Sequence, residues 1–196
     1  MLVYPPKYLV NMLAPYVDKQ ALREGKVSER LIKAMHIARY YEVAIYYNLL
    51  IRGTRVYIAP SIINGATGND YPEVSVEGSA ATYGIEVKCL QEYTFGFTKD
   101  TFPDQIHHDK VYAIANKKRG WNKHGIEPYV LVIVAPKLEG VIVIPFNTQY
   151  QWWGRNIRYH DEDERPETYF SSKDVMYTWD DMLGSLKKKG CLNRVP

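Results

Sequence analysis

Between Asp70 and Lys88 the chain alternates apolar and polar residues with a period of two, turns on a glycine, and alternates again. Val74 and Val76 lead into Gly78-Ser79, and Ile85 and Val87 come after it, the pattern of two antiparallel strands closed by a short turn. A turn over residues 78–80 sets Glu73 nearly opposite Glu86. Glu86 and Lys88 are two apart, so on a strand both side chains leave one face. Ile85, Val87 and Leu90 put these charges on a strand with a buried face, where an unpaired charge is costly.

Carboxylates converging on a divalent cation beside an ammonium group suit attack of water on a phosphodiester. The cation offsets charge on the phosphorane and lowers the pKa of its water, and the lysine adds a fixed positive charge. Glu-x-Lys alone is a short motif, and the plainer reading is an ion pair at a strand edge.

The rest of the chain gives this hairpin its setting. Residues 5–24 read as one or two short helices broken at Pro15. Ser28 is a suitable N-cap for a long helix from Glu29 to about Arg52, closed by Gly53. Its apolar stripe is Leu31, Met35, Ala38, Ile45 and Leu49, with Glu42 inside it; a carboxylate there needs a metal or an arginine as partner. Thr54 to Ala59 forms a strand, and Pro60 to Asn69 a loop. Pro103 opens a predicted helix through about Lys118, followed by a polar loop over 119–127. Tyr129 to Ala135 and Val141 to Phe146 are near-continuous apolar strands, as in a sheet covered on both faces. The expected fold class is therefore α/β, a single domain with an αβββαβ core and a mixed sheet flanked by helices. It comprises a helical part (1–53), a catalytic sheet core (54–146) and a C-terminal extension (147–196).

Composition permits nucleic acid as a partner without demanding it. Net charge is +3, and 17 tyrosines offer amphipathic rings. Lys117, Lys118, Arg119 and Lys123 cluster, as do Lys187 to Lys189. Two cysteines make no disulfide framework, no apolar run reaches eighteen residues, and no signal peptide is evident, so a cytoplasmic protein with no membrane contact is expected.

The order of these motifs resembles the PD-(D/E)XK nuclease superfamily, and within it the type II restriction endonucleases of the PvuII kind. Gly68-Asn69-Asp70, Glu86-Val87-Lys88, Gly96-Phe97-Thr98 and His107-His108 carry the similarity, over roughly residues 66–160. The resemblance implies that Asp70 and Glu86, with the Val87 carbonyl, hold Mg²⁺, for which Mn²⁺ substitutes. Lys88 would be the catalytic lysine, and Glu73 or Glu42 would complete the shell. The interval from Asp70 to Glu86 is longer than in PvuII, and Pro72-Glu73 resembles the superfamily's Pro-Asp, so Asp70 and Glu73 both stand as candidates for the first acid. Base contacts are expected from Thr98, Lys99, Gln105, His107 and His108, and phosphate contacts from Lys117, Lys118 and Arg119. The implied activity is site-specific cleavage of double-stranded DNA by a homodimer. Alternatives are a homing, virus-encoded or DNA-repair nuclease of the same superfamily, or a non-catalytic DNA-binding domain.

Overall fold

A computed structural model describes residues 1–64, 71–89, 97–110, 119–146, 153–155 and 168–192. Its centre is a five-stranded mixed sheet. In spatial order the strands are β2 (Val56–Ile58), β4 (Val74–Glu77), β5 (Thr82–Cys89), β7 (Ile126–Val134) and β8 (Val141–Pro145). Neighbours run antiparallel except β5 and β7, which are parallel. The hairpin register is the expected one: Val76 pairs with Tyr83 and Val74 with Ile85. Gly78 N–H donates to the Ala81 carbonyl at 2.9 Å and closes the turn.

Ahead of the sheet come α1 (Lys7–Met12), β1 (Tyr16–Val17), α2 (Lys19–Arg23) and α3 (Glu29–Leu50). Ser28 caps α3 as expected, its Oγ accepting from Leu31 N–H at 3.2 Å. The buried face of α3 differs from the expected stripe. Burial concentrates in its second half, at Val43, Ala44, Ile45, Asn48 and Leu49, while Leu31 is exposed. The first turns of α3 meet a small separate cluster, where Ile32 and Met35 cover Ala21, Val27 and Ile63. The expected loop after Ala59 contains a short strand, β3 (Ile62–Ile63), parallel to β1.

Apolar residues of the sheet divide by face. Val74, Val76, Ile85, Val87, Val130, Val132 and Val143 pack with α3 and with α4 (Trp179–Lys188). Leu131, Ile133, Ile142 and Ile144 pack on the other face with Trp121, Phe97, Phe102 and Ile106. Both faces of β7 and β8 are therefore covered, as their continuous apolar runs require.

The expected helix from Pro103 is corrected here. Residues Gln105–Lys110 form strand β6, antiparallel to β10 (Thr168–Ser172), which in turn pairs with β9 (Trp153–Arg155). Helical spacing of Ile106 with Val111, Ile114 and Ala115 suggested otherwise. Pairing of Ile106 with Ser171 satisfies the backbone from more than sixty residues away, which local periodicity cannot register. Residues 111–118 lie outside the described residues. The expected polar loop that follows is also corrected, because residues 119–123 are helical. Trp121, 1% exposed, anchors that turn against Gly84 of β5. The chain order of α3, β2, β4, β5, the 119–123 helical turn and β7 realises the expected αβββαβ core.

Candidate active site

The site arises where the hairpin strands part company. The β4–β5 ladder ends at Val74 and Ile85, yet β5 runs on to Cys89, paired with β7 from Glu86–Leu131 to Cys89–Val134. One step past the last hairpin pair, Glu73 lies across from Glu86. Its carbonyl accepts from Ala59 N–H at 3.0 Å, which draws that end of β4 toward the chain leaving β2. A cleft of about 380 Å³ fills the divergence. Its walls are Met35, Ala38, Arg39 and Glu42 of α3, Ala59 to Ser61, Glu73, and Glu86 to Cys89.

Four of the residues singled out by sequence therefore meet in one cleft: Glu42, Glu73, Glu86 and Lys88, with Val87 among its lining residues. Glu86 is 2% exposed and Glu42 8%. A carboxylate so far from water is costly unless positive charge or hydrogen-bond donors face it. For Glu42 the structure supplies an arginine. Arg39 Nη1 donates to Glu42 Oε2 at 2.9 Å, and Arg39 Nε donates to the Leu13 carbonyl at 2.7 Å. Sequence reading did not single out Arg39 by number. Its signal was the i, i+3 spacing of an arginine and a glutamate at the buried end of a helix.

Cys89 also lines the cleft, next to Lys88. Burial pushes its thiol above the ordinary range, so the thiol form prevails at neutral pH and a thiolate nucleophile is disfavoured. Its neighbour Tyr41 is pushed up to about 12, first by burial and then by the hydrogen bond to Cys89. Cys89 and Tyr41 are therefore both neutral near pH 7.

Other expected site residues lie elsewhere or outside the described residues. Asp70, Lys117 and Lys118 fall outside them. Thr98 closes a local turn with Thr101, its Oγ1 standing 3.0 Å from Thr101 Oγ1. Lys99 borders a separate groove with Asp180 and Asp181 at the start of α4. Gln105, His107 and His108 belong to β6, where Gln105 is exposed. Arg119 is exposed on the helical stretch that Trp121 fixes over Gly84. Gly84, Glu86 and Lys88 alternate along β5, so Trp121 packs on the face of the strand that also carries Glu86 and Lys88. At the far end of the helical stretch His124 stacks on Tyr71, ring centroids 3.9 Å apart, a contact absent from the sequence reading.

A hard divalent cation takes oxygen donors, and the Glu73 and Glu86 carboxylates are donors of that class lining one cleft. Among the described residues no three acidic, histidine or cysteine side chains stand close enough to form a complete ligand cluster. The donor type suits such an ion, and the described residues by themselves do not complete a ligand set.

No protein-family model matches the chain, and no curated protein matches it. Among solved structures, it is similar to Hjc from Archaeoglobus fulgidus, a Holliday junction resolvase from an archaeal hyperthermophile. That similarity has a TM-score of 0.46 and 11% sequence identity, and covers 76% of this chain and 96% of the other. Among the described residues no helix is long and apolar enough to cross a membrane.

Proposed function

We propose that this chain is a Mg²⁺-dependent endonuclease hydrolysing phosphodiester bonds of double-stranded DNA, working as a homodimer in the manner of a site-specific type II restriction enzyme. One observation carries the reading: the hairpin register sets Glu73 across from Glu86, and Lys88 follows on the same face, all in one cleft. Two carboxylates and an ammonium at a strand end suit metal-assisted hydrolysis of a phosphodiester.

Glu86 and Glu73 hold the cation in this reading, with the Val87 carbonyl and Asp70 completing the donor set. When bound, the ion offsets phosphate charge and makes a water molecule more acidic. Lys88 contributes its ammonium where the pentacoordinate phosphorus gathers negative charge, and it orients the attacking water. Exposed Arg119 and Lys123, on the helical turn beside the acidic end of β5, supply phosphate contacts that position the duplex. One subunit carries one such centre, so a two-fold DNA site is cut on both strands by two copies.

Supercoiled plasmid incubated with Mg²⁺ tests the proposal. The expected result is conversion to linear DNA with ends at a fixed sequence, arrested by chelator and restored by Mg²⁺ or Mn²⁺. Intact plasmid in the presence of either ion refutes the nuclease reading. Cleavage at scattered sequences refutes the restriction-type reading alone.

A further inference from the structure

We propose that Lys137, in the turn between β7 and β8, binds a backbone phosphate of the DNA, and that Tyr4 and Tyr41 fix it at the cleft end of the sheet. The inference rests on the reading of the chain as a DNA-cutting enzyme and adds a residue that does not line the cleft itself.

Strands β5 and β7 run parallel and end together, Lys88 pairing with Ile133 and Cys89 with Val134. The turn Pro136–Leu138 follows at once, so it belongs to the end of the sheet that carries Glu86 and Lys88. Two successive residues of this turn are left-handed, Lys137 at φ 57° and Leu138 at φ 59°, and neither is glycine. Such a backbone is strained by the residue's own Cβ and persists only where surrounding contacts hold it. For Leu138 burial is the offset, since it is 2% exposed and packs in the core shared by the sheet and α3. Lys137 is exposed and has no such compensation. Glycine would make the same turn with less strain, so the shape of the turn does not account for a lysine there.

Both backbone polar groups of Lys137 are held by tyrosines. Tyr4 Oη donates to the Lys137 carbonyl at 2.6 Å. A backbone hydrogen bond from Lys137 lowers the Tyr41 phenol, as a donated N–H does, and the same phenol bonds Cys89, the residue after Lys88. One hydroxyl thus bridges the two, which keeps the Lys137 main chain within roughly 6–7 Å of the Cys89 thiol. Tyr4 is itself placed by its neighbour: Val3 N–H donates to Asn48 Oδ1 at 2.9 Å, and Asn48 Nδ2 donates to the Val3 carbonyl at 2.8 Å. Among the described residues the Lys137 ammonium enters no salt bridge. An exposed ammonium on a backbone fixed beside the cleft is a point charge suited to a phosphate oxygen. Tyr4 and Tyr41 act through Lys137 and are positioning residues.

Fluorescence anisotropy of a labelled DNA duplex tests this, in EDTA so that the duplex is not cut, over a series of KCl concentrations. Circular dichroism melts verify the fold of each variant. Lys137→Gln is expected to weaken binding about five- to ten-fold at low salt and to reduce the slope of log affinity against log salt by about 0.9. Lys137→Gly is expected to do the same while raising Tm by roughly 2–4 °C, because it also releases the strain. Lys137→Arg keeps the charge and is expected to stay within about two-fold of wild type. Tyr4→Phe is expected to weaken binding about two- to three-fold at an unchanged slope, and to add nothing in a Lys137→Gln protein. Weakening in Lys137→Gly without weakening in Lys137→Gln overturns the inference, because backbone rather than charge would be responsible. A Tyr4→Phe loss that persists in full beside Lys137→Gln overturns the positioning by tyrosine. No duplex binding by the wild-type protein overturns the DNA reading and this inference together, whereas binding insensitive to Lys137→Gln at every salt concentration overturns this inference alone.

Discussion

Gly84→Ala tests whether the 119–123 helical turn is seated on the face of β5 that carries Glu86. A Cβ at position 84 would stand 2.7 Å and 2.9 Å from Trp121 Cε3 and Cζ3, and 3.1 Å from Pro72 Cγ. Carbon atoms in contact sit about 3.5–4.0 Å apart, so the methyl group overlaps the indole outright. Trp121 has little room to yield, being buried and set edge-on to Phe146 at 5.5 Å between ring centroids. Overpacking of this kind costs about 1–3 kcal/mol. For a chain of this length each kcal/mol lowers Tm by roughly 2–4 °C, so a cost near 2 kcal/mol corresponds to a fall of about 4–8 °C. Gly184→Ala is the matched control. Position 184 is exposed within α4 with nothing within 4 Å of its would-be Cβ, so alanine relieves the helix of glycine's backbone entropy. A gain of about 0.5–1 kcal/mol is expected there. Thermal melts followed by circular dichroism measure both. A Gly84→Ala protein melting at or above the wild-type temperature refutes the seating of Trp121, and with it the placement of the helical turn beside Glu86.

Glu86→Gln and Lys88→Met are each expected to lower the single-turnover cleavage rate by about 10²–10⁴-fold while the protein remains folded; near-wild-type rates would remove these residues from the reacting set. The first acid is settled by Mn²⁺ calorimetry on Asp70→Asn and Glu73→Gln: the variant that loses binding identifies the ligand, and loss in both assigns the role to the pair. In the capping box of α4, Thr178 donates from its hydroxyl to Asp181 at 2.7 Å and from its backbone N–H at 3.0 Å, which holds the Asp181 carboxyl below its usual range. A depressed carboxylate stabilises the fold above its unfolded pKa of about 4 and ceases to do so as pH falls through its folded value. The Tm advantage of wild type over Asp181→Asn is therefore expected to be constant near neutrality and to shrink as pH falls below about 4; an advantage independent of pH would refute the link.

The hairpin was legible in the sequence because its information is local. Alternation about Gly78 fixes which residues pair, and the pairing of Val74 with Ile85 places Glu73 across from Glu86 without reference to the rest of the chain. The cap at Ser28 and the apolar strands β7 and β8 are likewise properties of short stretches. What local pattern could not supply was long-range partnership. Residues 105–110 have a sequence compatible with a helix, and only β10, far along the chain, makes them a strand. Glu42 was visible as a charge on a buried helix face, with metal and arginine as open alternatives. Tertiary structure decided that Arg39 faces it, because the Leu13 carbonyl fixes the guanidinium from outside α3. The cleft itself is a tertiary feature: it exists because β4 stops while β5 continues beside β7, and a sequence specifies pairing within a hairpin more directly than where its strands separate.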